Sequence, residues 1–170
     1  GRRVEGRGFT HMEANYGVAF PTGWCWAQGV SYDGKVQFIM TGGKFVIGSM
    51  TTNSWLIGFR SEFSSLNFRT TDFDVMRPKF SRERQELFLE ASSRRDPSLK
   101  LKIHLSVPLD HPFSDPIFVP TNDGTFSNCP GCIESFAATA RVSICRRDEV
   151  LESYEIPNCA LEFGGIFQYE

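Results

Sequence analysis

No basic tract occurs anywhere in the chain. Lys and Arg number 18 against 20 Asp and Glu, a net charge of −2. Nucleic-acid binding needs a positive stripe to neutralise phosphates, so that class is excluded. Long apolar runs are also missing. None approaches the ~18 residues of a membrane span. The opening Gly1-Arg2-Arg3-Val4-Glu5-Gly6-Arg7 lacks the apolar centre of a secretory signal. Five cysteines, an odd number, leave at least one unpaired within the chain. With no export signal they read as reduced thiols in a cytoplasmic setting. Gly42-Gly43 has neither the GxGxxG nor the GxxxxGK spacing of a phosphate loop, and no GxSxG elbow is present. No cofactor is expected.

Helical stripes are scarce too. Only Ser81 to Ala91 competes, and its Leu87-Phe88-Leu89 cluster fits a strand better. Strand signals run through the rest. Residues 4–12 suit a short first strand. Asp33-Gly34 signals a hairpin turn. Val36 to Met40 is apolar, Gly42-Gly43 predicts the next turn, and Phe45-Val46-Ile47 resumes the strand. Trp55 to Arg60, Leu66 to Thr70 and Gln85 to Ala91 follow. Lys100 to Val107 is the clearest strand, with Leu101, Ile103, Leu105 and Val107 on one face. Five prolines between 108 and 130 predict a long ordered loop. Phe136, Ala138, Ala140, Val142 and Ile144 then alternate in phase, and Cys159 to Gly165 closes the chain. Eight to ten strands with short turns predict one all-β domain over 1–170, an antiparallel barrel or sandwich with little helix.

What the chain has in excess is phenylalanine. Sixteen Phe point to a β interior, an aromatic-lined cavity, or both. Cys129-Pro130-Gly131-Cys132 has the CxxC form, but no second ligand pair accompanies it. A structural turn is the reading, and no metal is expected.

The densest mixture of polar and aromatic side chains is residues 13–28. Glu13, Asn15 and Tyr16 precede a bend at Gly17, then come Phe20-Pro21 and the strand-like Trp24-Cys25-Trp26. Trp24 and Trp26 share one face, with Cys25 and Ala27 on the other. His11 and Glu13, two apart in an extended segment, point the same way and would suit an acid–base pair. The plainer reading places both tryptophans in the core and Glu13 on the surface. Arg60 ends an apolar strand, where it would pair with a carboxylate or a ligand oxygen, or stand as a surface charge.

The stretch Glu13-Ala14-Asn15-Tyr16-Gly17-x-x-Phe20-Pro21-x-x-Trp24-x-Trp26 resembles the central signature of the tocopherol cyclase family. Gly42-Gly43, Cys132-x-Glu134-Ser135 and Leu161-Glu162-Phe163-Gly164-Gly165 add weaker similarity in the same order. Ala14 stands where the family has Lys, and Tyr16 where it has Trp. The resemblance covers nearly all of this chain but only the C-terminal half of a family member, which pairs two lipocalin-like barrels. It implies a lipocalin-like barrel that takes a hydrophobic isoprenoid or polyketide ligand. It also implies ring closure, begun by protonating a prenyl double bond and ended when a phenol oxygen captures the cation. On that basis Glu13 is the expected acid and Asn15 its orienting partner. Tyr16, Phe20, Trp24, Trp26 and Arg60 are the expected ligand-binding residues. A non-catalytic carrier and a pericyclic natural-product cyclase are the alternatives. A homodimer, or a separate N-terminal barrel, would supply a second barrel.

Overall fold

The computed structural model describes residues 2–6, 8–13, 20–121, 123–147 and 149–169. Ten strands form one antiparallel sheet: β1 (Gly23–Val30), β2 (Gln37–Ile47), β3 (Met50–Arg60), β4 (Ser65–Arg69), β5 (Val75–Ser81), β6 (Glu86–Ser92), β7 (Leu99–Ser106), β8 (Ile117–Pro120), β9 (Phe126–Arg146) and β10 (Glu149–Gly165). Among the described residues, helical structure is limited to two 3-10 turns, Thr70–Asp72 and Ile166–Tyr169. The all-β antiparallel class expected from the alternation is what the chain adopts.

The strand order is β4-β3-β2-β1-β10-β9-β7-β6-β5, with β8 paired to β9. The path is open, and no ladder joins β4 to β5 among the described residues. The sheet nevertheless rolls up. Trp55 of β3 and Phe80 of β5, near opposite ends of that order, stack with ring centroids 6.4 Å apart. Phe80 also meets Phe163 edge-on at 5.3 Å and Phe167 at 5.1 Å. Phe113 closes on Phe163 from the loop after β7. Phe38, Phe59, Phe68 and Phe163 are buried in the core and Phe80, Phe113 and Phe167 pack against it, whereas eight of the sixteen Phe are exposed. A recess of about 310 Å³ lies at the mouth, lined in part by Arg82, Gln85, Phe113 and Ile133.

Alternation decides which side chains face inward. Leu87, Leu89, Ala91, Leu101, Ile103 and Leu105 are buried as their spacing predicts. The hairpin at Asp33-Gly34 forms, with Gly34 at φ 73° and its N–H donated to the Ser31 carbonyl.

Four expectations are corrected. The described residues 8–13 form no strand. Gly42-Gly43 is not a turn, because β2 runs straight through it. A Cβ at Gly42 would lie 2.5 Å from Trp55 Cε3, and one at Gly43 2.2 Å from the Gly23 carbonyl oxygen. These glycines permit close approach within a continuous strand. The proline-rich segment is not all loop, since β8 and the start of β9 form a hairpin within it. Pro120 ends β8, and Pro78 lies in terminal β5, positions where a missing N–H costs no central ladder bond. Phe136 is out of phase. Cys159 pairs with Ala138 but Leu161 pairs with Ser135, so β9 carries one extra residue there. This bulge turns Phe136 outward, 65% exposed, while Ser135 and Ala138 both face the core.

Candidate functional site

β1 sits between β2 and β10, and its alternation splits the aromatic motif as expected. Cys25 and Ala27 point into the core opposite Phe163 and Leu161. Trp24 and Trp26 take the other side, opposite Gly164 and Glu162. That side is the outer face of the sheet. The tryptophans therefore neither line the interior nor belong to its core.

Trp24 is nevertheless only 9% exposed. Gly164 gives it a seat, because a Cβ there would come within 1.9 Å of Trp24 Cε2. Phe20 covers it from above, with ring centroids 5.0 Å apart. The indole Nε1–H donates to Glu162 Oε1 at 2.5 Å. Trp26 Nε1–H donates to Glu13 Oε2 at 3.0 Å. His11 Nε2 lies 3.1 Å from the same oxygen, and its ring tilts against Trp26 at 5.9 Å. His11 and Glu13 thus lie against Trp26 on the outer face.

A third carboxylate completes the group. Glu134 of β9 is the register partner of Glu162, which is the register partner of Trp26. Burial pushes the Glu162 carboxyl above its ordinary pKa. Repulsion from Glu134 and Glu13 adds to the rise, and the Trp24 N–H opposes it. Cys132, beside Gly164 on the same face, is pushed up to about 12 by burial and by the charges of Glu162 and Glu134. It is a neutral thiol.

The expected site residues separate as follows. Glu13, Phe20, Trp24 and Trp26 converge. Asn15 and Tyr16 lie outside the described residues. Arg60 is exposed at the far end of β3, four residues beyond Leu56, which shares Trp26's row across β2. It does not join the cluster. Glu162 was not singled out by sequence. Its signal was available, as a lone charge inside the apolar run Ala160-Leu161-Glu162-Phe163-Gly164, at a position whose alternation opposes the core residues.

Cys129 and Cys132 fall within β9 rather than in a turn. Three apart on a strand, they point to opposite faces. All five cysteines are free thiols. Among the described residues, no three His, Cys, Asp or Glu are placed to hold a metal ion. No described helix is long and apolar enough to cross a membrane.

Comparison with protein-family models, with curated proteins and with solved structures finds no match.

Proposed function

We propose that this chain binds a hydrophobic isoprenoid- or polyketide-type ligand against the partly exposed Trp26 on the outer face and promotes its acid-assisted cyclisation. Glu162 is the proton donor. The observation that carries this reading is a partly buried carboxyl, held toward its neutral form, hydrogen-bonded to one tryptophan and directly opposite another in the register. A carboxylic acid must stay protonated near neutral pH to donate to an alkene, and burial beside like charges favours that state. The indole of Trp26 would stabilise a developing cation by about 0.5 to 2 kcal/mol.

In the proposed step the Glu162 proton adds to a trisubstituted double bond, leaving a tertiary cation. A phenol oxygen of the same molecule captures it, and the phenolic proton passes to a carboxylate of the cluster. No atom is gained or lost, so the reaction is an isomerisation. Glu13, already accepting from Trp26, is the second carboxylate available to receive that proton.

The test is incubation with a prenylated hydroquinone in D₂O, followed by mass spectrometry of the product. A chroman carrying one new carbon-bound deuterium is expected. Glu162→Gln is expected to slow its formation by at least about 10²-fold, the usual contribution of a general acid. Full turnover in Glu162→Gln would leave ring closure by shape alone. Quenching of tryptophan fluorescence without product would leave a carrier.

A further inference from the structure

Among the described residues, the terminal strands and β8 are protected against further pairing. Terminal β5 carries Arg77, Pro78 and Lys79, and terminal β4 is five residues long. β8 has four residues and ends in Pro120. Short strands, prolines and lysines are the usual means of blocking pairing with another chain. The hairpin formed by the end of β2 and the start of β3 has none of these. Lys44 pairs with Gly23, the first residue of β1, so Phe45–Ile47 extends past β1. On the other side β4 pairs only with Leu56–Arg60. No described strand pairs with Met50–Ser54 on the edge away from β2.

From Phe45 to Ser54 there is no ionisable side chain. Val46, Ile47 and Met50 are mostly exposed, as are Thr51, Thr52 and Asn53. We infer that this edge of β3, Met50 to Asn53, pairs antiparallel with the same edge of a second copy of the chain. The window is bounded on both sides. The Gly48-Ser49 turn ends it above. Below, the Thr70 hydroxyl accepts the Trp55 N–H at 3.0 Å and meets Ser54 Oγ at 3.0 Å, occupying the edge. An antiparallel twofold pairing centred on Thr52, with Thr51 opposite Asn53 of the second copy, fits that window, and a second hairpin meets no charge along it. The pairing is isologous and therefore closed. A lipid surface is the other occupant that apolar tips suggest, but it would place unpaired backbone N–H and C=O groups in hydrocarbon, which open sheet edges do not tolerate.

Sedimentation velocity over a concentration series tests the pairing. The wild-type chain is expected to pass from one copy of 19.2 kDa to two as concentration rises. Thr51→Lys/Asn53→Lys sets like charges against each other across the twofold axis and is expected to weaken association at least about tenfold. Its circular dichroism and melting temperature should match the wild type. Hydrogen exchange on the unmodified protein gives an independent reading, with the amides of residues 50–53 slowing as concentration rises. The proposal is overturned by a wild type that stays at one copy throughout, or by association that survives both lysines. It is equally overturned if phosphatidylcholine vesicles bind the wild type, fail to bind the variant, and the free protein remains single.

Discussion

At the residue scale, two carboxylates are shifted in opposite directions. Burial pushes Glu162 up, as do Glu134 and Glu13. A carboxyl whose folded-state pKa exceeds its unfolded value destabilises the fold only once it must ionise. The penalty is absent below the unfolded pKa and complete above the folded one. Glu162→Gln keeps an acceptor for Trp24 and removes the charge. Its stability relative to wild type should therefore rise as pH climbs past the ordinary carboxylate pKa of about 4.3 and level off above the raised folded value, read by urea unfolding at each pH. Glu152 behaves oppositely. Its partial burial acts upward, but the hydroxyls of Ser64, Ser61 and Tyr154 outweigh it and hold the pKa down. Its contribution is full above the ordinary carboxylate range and is lost as pH falls through the lower folded value. These bonds tie the turn between β3 and β4 to β10. Glu152→Ala should cost about 1.5 to 3 kcal/mol at neutral pH, the range for hydrogen bonds to a charged group, measured by chemical denaturation. Neither shift was legible in sequence, because each depends on groups brought from far along the chain.

At the scale of elements, glycines in strands mark where other groups approach. Gly164→Ala would push Trp24 off its seat on β10. The expected cost is about 1 to 3 kcal/mol. Tryptophan emission should shift to the red as the indole leaves Glu162 and enters water. An equal cost without that shift would mean that β10 moved instead of Trp24. The sequence showed that Trp24 and Trp26 share a face, because side-chain alternation is a local property of any strand. It could not show which face, because that depends on which side of β1 the sheet curls toward. The same limit explains Phe136. Its phase with Ala138 to Ile144 was readable, but the extra residue opposite Ala160 was not, since a bulge is a property of two strands together.

At the scale of the whole molecule, the rolled sheet is held by contacts across its interior, with no closing ladder among the described residues. Phe80 touches Trp55, Phe163 and Phe167, linking the terminal strand to the middle and to the chain end. Phe80→Ala should cost about 3 kcal/mol, the low end for a buried phenylalanine, since Phe80 is only partly buried. The unfolding midpoint in urea measures it, and a loss below about 0.5 kcal/mol, the level of an ordinary surface change, would show that the seam holds without this ring. By itself the sequence determined the class of fold, most strand positions and the inward set of β6 and β7. It also determined the shared face of the two tryptophans. These follow from alternation and turn residues within a few positions of one another. Only the tertiary structure decided which Phe enter the core, and that the indole pair lies on the outer face with His11 and Glu13 against Trp26. It alone set Glu162 beside Glu134 and Trp24. The physical reason is the same in each case. Burial and charge repulsion are set by neighbours that a strand acquires only when the sheet assembles and curls.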